Sequence, residues 1–249
     1  MIAVEVSTNP TRALTIASIL LTVALALVHL STSRWDAARF ERKRDLLSAA
    51  GGATVAYVFV LLLPEVSEAA LVVGTLRGDA LIAEQYVYLM ALLGFVLFYG
   101  VEVAVVHRTG DDLTESPTAF WAHVAIFALY SGLIGYLLFH QEAPGVVNLF
   151  FYALAMGLHF RITDYGLRRH HGDAFDQKAR WILAGATLLG GGIGIVLELG
   201  ALLLSTLFGF VAGAVVFNVI KEELPELHES RFIAFACGAL VYTIVILFA

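Results

Sequence analysis

Charge is what this chain has least of. Asp, Glu, Lys and Arg make up 14% of its 249 residues, against about 25% in an ordinary soluble domain. With 59% hydrophobic residues, that scarcity excludes a disordered chain and a soluble enzyme. The formal net charge of −6 favours no polyanionic partner, and nucleic acid is excluded with it. A single cysteine, Cys237, lies in an apolar run, so a disulfide framework and a cysteine-based metal site are both excluded. A His-Glu-x-x-His helix is absent, which removes intramembrane zinc proteolysis. No lysine falls in the middle of an apolar run, which removes retinal-type Schiff-base chemistry. The residues do not read as an enzyme.

What is present is a series of long apolar runs. They predict an all-α integral membrane protein of the cell membrane, a single polytopic domain over residues 1–249, because helices satisfy their own backbone in lipid. Eight transmembrane helices are expected, at Leu14–Leu30, Leu47–Leu63, Tyr86–Val106, Phe120–Leu138, Val147–Arg161, Trp181–Glu198, Ala201–Ile220 and Phe232–Phe248. The stretch from Trp181 to Ile220 has almost no polar break. As one helix it would be roughly 60 Å long, twice the hydrocarbon thickness, so a turn is expected at Glu198-Leu199-Gly200. Arg161 and Asp164 cut the fifth run short. The longest loops are then Ser31–Asp45, Glu65–Gln85 and Ile162–Arg180.

The first run is not a cleaved signal, because the positive charge follows it rather than precedes it. Arg34, Arg39, Arg42, Lys43 and Arg44 lie in the first loop, Arg108 in the third, Arg161, Arg168, Arg169, Lys178 and Arg180 in the fifth, and Lys221 and Arg231 in the seventh. Only Arg12 and Arg77 lie on the other side. The positive-inside rule then places both termini outward.

Two segments share a pattern. The second run leads into Leu63-Pro64-Glu65 and the seventh into Leu224-Pro225-Glu226. Each reads as a helix end broken by proline, with a carboxylate in the interface. Taken together and at these places, they resemble the ZIP (Zrt/Irt-like) family of divalent metal transporters. The segment Ala212–Glu226 looks like that family's seventh helix, with Glu222 at its acidic position three before the proline. Gly51-Gly52-Ala53-Thr54 through Pro64-Glu65 looks like its second helix, with Leu61 where a histidine is common. Gly190-Gly191-Gly192-Ile193-Gly194 resembles its glycine-rich sixth helix.

The resemblance implies a ZIP-like bundle, a homodimer and a divalent metal ion, zinc-like, as substrate. It places the metal site on the fourth and fifth helices, and here the sequence departs from the family. Aligning Gly132 puts Phe127, Ala128 and Ser131 at the fourth helix's ligand positions. The fifth helix reads His159-Phe160-Arg161-Ile162-Thr163-Asp164-Tyr165-Gly166. It keeps the histidine, an acid and the glycine, but has Phe160 at a ligand position. Both kink prolines are replaced, by Tyr130 and Ile162. What remains for a metal is His159 and Glu222, with Asp164, Thr163 and Ser131 secondary. His159 and Thr163, four apart, share one helix face. Two strong donors fall short of the four or more that zinc or harder ions take. The chain is therefore expected to be a permease with a reduced metal site, or a non-transporting relative serving as sensor, scaffold or subunit.

Other polar residues in the runs point to function by default. Glu102, with His107 five residues on, reads as a relay carboxylate or as a paired interfacial acid. His123 and Tyr130 lie seven apart on one face. Bis-histidine haem would need paired histidines at one depth, for which His107 and His123 are the candidates. Arg168-Arg169-His170-His171-Gly172-Asp173 reads as an ordinary cytoplasmic loop, or as a metal-collecting or anionic-lipid patch. The glycines at 185–194 and 209–213 allow close helix packing, which would serve static packing or sliding helix groups equally.

Overall fold

The computed structural model describes residues 10–31, 44–77, 80–109, 117–140, 145–223 and 231–248. Among these, regular structure is helical throughout: α1 (Pro10–Ser31), α2 (Arg44–Tyr57), α3 (Leu63–Arg77), α4 (Ala80–Thr109), α5 (Pro117–Leu137), α6 (Val146–Ala174), α7 (Arg180–Val196), α8 (Ala201–Asn218) and α9 (Phe232–Phe248). Six helical stretches are long and apolar enough to cross a membrane: Arg12–Ser31, Ser48–Leu76, Gln85–Val105, Pro117–Leu137, Val146–Val196 and Ala201–Lys221. Large apolar side chains such as Leu20, Leu189 and Phe248 face outward. A surface this apolar suits lipid rather than water.

The stretch Val146–Val196 runs for 51 residues, but it is not one rod. At Gly172 the backbone takes φ 50° and ψ −126°, a conformation that essentially only glycine adopts. The chain turns there, and α6 and α7 both pack on α1. The expected loop at Ile162–Arg180 is thus helical on both sides of a single glycine. The fifth run continues past Arg161 because Asp164 finds a buried partner, described below. At the next junction, residues Leu197–Gly200 leave the helix, at the predicted turn.

The proline in Leu63-Pro64-Glu65 does not end its helix. A five-residue π turn, Val58–Leu62, joins α2 to α3. There the Leu63 N–H bonds the Val58 carbonyl, five residues back. Pro64 has no N–H to offer and its ring crowds the preceding turn. The wider turn absorbs both defects, so the helix runs on to Arg77 where a loop was expected. A second π turn, Val219–Glu223, follows α8 and stands at the same distance before Pro225. Leu224, Pro225 and Glu226 lie outside the described residues.

The helices sort into two groups by their packing. In one, α1, α6 and α7 pack together and α5 lies on α7. In the other, α2 pairs with α9, α4 with α8, and α3 lies against both α4 and α8. Pairs inside each group meet backbone to backbone. A Cβ at Gly213 of α8 would overlap the backbone carbonyl of Ala91 on α4, and one at Gly190 of α7 would overlap that of Gly132 on α5. The small residues therefore zip pairs within groups, and they do not line the seam between groups. That seam is filled by side chains. Phe98 of α4 meets Phe127 and Tyr130 of α5 edge-on, at centroid distances of 5.7 and 5.4 Å. Tyr242 of α9 donates to the Phe151 carbonyl of α6 at 3.1 Å.

Candidate functional site

His159 is fully buried on α6 and faces the aromatic packing of the seam. Its Nε2 lies 3.0 Å from the Tyr130 hydroxyl, which engages that nitrogen. Tyr130 is itself enclosed by Phe98, Phe127 and Phe160. One turn on from His159, the Thr163 hydroxyl is buried with no hydrogen-bond partner. Ser131 is buried beside Tyr130 in the chain. A buried hydroxyl without a partner is uncommon. The hydroxyls of Tyr57 on α2 and Tyr152 on α6 are likewise buried without a hydrogen-bond partner.

Asp164 does not join His159. Five residues apart on a helix means about 140° apart around it, and Asp164 turns to α1 instead. There His29 Nδ1 lies 2.8 and 3.0 Å from its two carboxylate oxygens. Both residues are buried. Phe160 packs against the His29 ring at a centroid distance of 4.4 Å. Phe160 thus closes the pair from one side. Glu222 lies on the π turn after α8, and its side chain is outside the described residues. Among the described residues no three of His, Cys, Asp and Glu come together to hold a metal.

A second polar cluster sits one to two turns from the helix ends. Glu102 of α4 pairs with Lys221 at 2.7 Å and lies 3.3 Å from His123 Nε2 of α5. His123 Nδ1 is 2.9 Å from His171 Nε2, at the end of α6 next to Gly172. The relation to His107 expected from sequence lies outside the described side chains. Glu102 is a paired acid: its ion pair with Lys221 lies within one helix group, and its contact with His123 reaches the other across the seam. His123 spends its Nδ1 on His171. Arg168 is held by Asp176, at 3.0 and 3.1 Å.

Sequence reasoning gave His29 no weight, and nothing in its own surroundings could have raised it. Tyr130 was visible as the replacement for a kink proline, but its hydroxyl's position over His159 was not. The unpartnered Tyr57 and Tyr152 carry no sequence signal at all. No family model matches this chain, and no curated protein matches it.

Proposed function

We propose that the chain is a ZIP-like permease of the cell membrane for a divalent cation such as zinc. In this reading eight helices span the bilayer, with α6 and α7 as separate spans, α9 as the eighth and both termini outward. It acts as a homodimer, as the resemblance implies. His159 and Glu222 are the strong ligands, Thr163 and Ser131 supply neutral oxygens, and Asp164 anchors α6 to α1 through His29.

The observation that carries the reading is the buried polar seam. His159 and the unpartnered Thr163 hydroxyl lie in a membrane interior, where polar groups are costly and are kept for a purpose. His159 meets Tyr130, whose ring in turn packs on Phe98 of the other helix group, and the close backbone contacts that would weld helices together lie within the groups. The turn at Gly172 and the asymmetry of Lys and Arg support the span count and orientation.

One observation favours a second reading. Tyr130 occupies His159, and His29 occupies Asp164. A site closed in this way suits a non-transporting relative that serves as sensor, scaffold or subunit. Uptake of zinc, cadmium, manganese, iron and cobalt into proteoliposomes separates the two. Saturable uptake that is lost in His159→Ala supports the permease. No uptake of any ion from folded protein supports the second reading.

A further inference from the structure

A groove of about 480 Å³ opens between α1, the start of α2 and α6. Its size falls in the range of ligand sites, roughly 300–1,000 Å³. The two long walls run in the same direction. A methyl group at Gly157 of α6 would lie 3.5 Å from Leu25 and 4.0 Å from Val28 of α1, and His29 meets Asp164 one to two turns further along. The groove therefore has a defined polarity. Leu21 and Phe150 stand at one end, and Ser31 and Arg161 stand at the other.

The lining is apolar except at that second end, where Ser31 and Arg161 are its polar residues. From Leu21 to Ser31 is ten residues, about 15 Å of helix, which matches one leaflet of a hydrocarbon core about 30 Å thick. Arg161 is half-buried at that end of the groove, and with the apolar end toward the bilayer centre it falls where acyl chains give way to headgroups. The chain leaves the groove at Ser31 and returns to it at Leu46. Between these two residues the sequence carries Arg34, Arg39, Arg42, Lys43 and Arg44.

We propose that this groove is a binding site for one anionic phospholipid. One acyl chain lies along α1 and α6, and the headgroup phosphate is held by Arg161. An arginine fork matches phosphate geometry, and basic pockets between membrane helices take anionic headgroups. The walls belong to both helix groups, α1 and α6 to one and α2 to the other, so the lipid bridges them. The proposal depends on membrane embedding and not on metal transport.

The test uses the full chain in bilayer discs of equal phosphatidylcholine and phosphatidylglycerol, followed by gentle extraction and native mass spectrometry. One phosphatidylglycerol per chain is expected to remain in preference to phosphatidylcholine. Arg161→Gln should lower that preference roughly fivefold, the scale of one headgroup contact, while a lipid is still retained. Ala50→Phe, which fills the groove from α2, should lose both lipids and leave Arg161 intact. Equal retention of the two lipids by the natural sequence overturns the proposal, as does a preference unchanged by Arg161→Gln or a lipid that survives Ala50→Phe. A cross-link between two copies through Leu154, on the groove wall, would show a second copy covering it and would also overturn the proposal.

Discussion

His29 Nδ1 sits 2.8 Å from one oxygen of Asp164 and 3.0 Å from the other, with both side chains buried and the residues 135 positions apart in the chain. The pair fixes α6 against α1 and makes a carboxylate tolerable in the middle of a long apolar helix. Removing one partner of a buried pair leaves the other unsatisfied and costs about 3–5 kcal/mol. His29→Ala is expected to lower the melting temperature in detergent sharply. The paired replacement His29→Leu with Asp164→Leu should recover most of the loss. A double variant no better than the single one would show that the pair is not the source of the cost.

The backbone contact at Gly213 gives a second expectation. A methyl there would overlap the Ala91 carbonyl, whereas one at Gly185 would meet nothing within 4 Å. Gly213→Ala should destabilise the fold by about 1–3 kcal/mol, the usual cost of overpacking. Gly185→Ala should not destabilise it. Thermal unfolding followed by size-exclusion chromatography checks both. Equal behaviour of the two variants would contradict the close α4–α8 crossing.

Tyr130 sets the state of His159. Tyr130→Phe removes one hydrogen bond, worth about 1 kcal/mol, and leaves the ring packing in place. Under the permease reading it frees Nε2 for metal, so zinc affinity measured by calorimetry should rise. Unchanged affinity in the variant would mean that the hydroxyl does not guard the site.

The span count is checked by labelling. Arg169 and Glu198 are both exposed and flank α7. In a background with Cys237→Ser, cysteines at these two positions should react with an impermeant thiol reagent from opposite sides of the membrane. Reaction from one side only would contradict separate spans for α6 and α7.

The positions of the helices were legible because a span needs length and low polarity, and both are local properties. The turn at Leu197–Gly200 was legible for the same reason, since forty apolar residues exceed a bilayer. The turn at Gly172 was hidden among charged residues that read as a loop. The continuation through Pro64 was hidden because a π turn compensates for the proline, and only the Leu63-to-Val58 hydrogen bond reveals it. At the site, the candidate residues His159 and Thr163 came from the family resemblance, and their spacing only put them on one helix face. Their partners came from neither, because Tyr130 lies on another helix and His29 on a third. The role of the glycines also needed the structure: the same residues could have lined a sliding surface, and instead Gly190, Gly191, Gly194, Gly209 and Gly213 pack within their own group, while Gly185 and Gly192 meet nothing within 4 Å.

In the permease reading the cation passes where the two helix groups meet, so a lock across that seam of side chains should stop transport. The most direct measurement is zinc uptake into proteoliposomes with that seam locked. In a background with Cys237→Ala, Phe98→Cys with Phe127→Cys places two thiols where rings now meet at 5.7 Å across the seam. Phe95→Cys with Phe217→Cys does the same at 5.5 Å within one group. A short thiol cross-linker should stop uptake in the first pair, reduction of a cleavable linker should restore it, and the second pair should transport throughout. Uptake that continues with the seam cross-linked, or no uptake from either uncross-linked variant, would contradict the account.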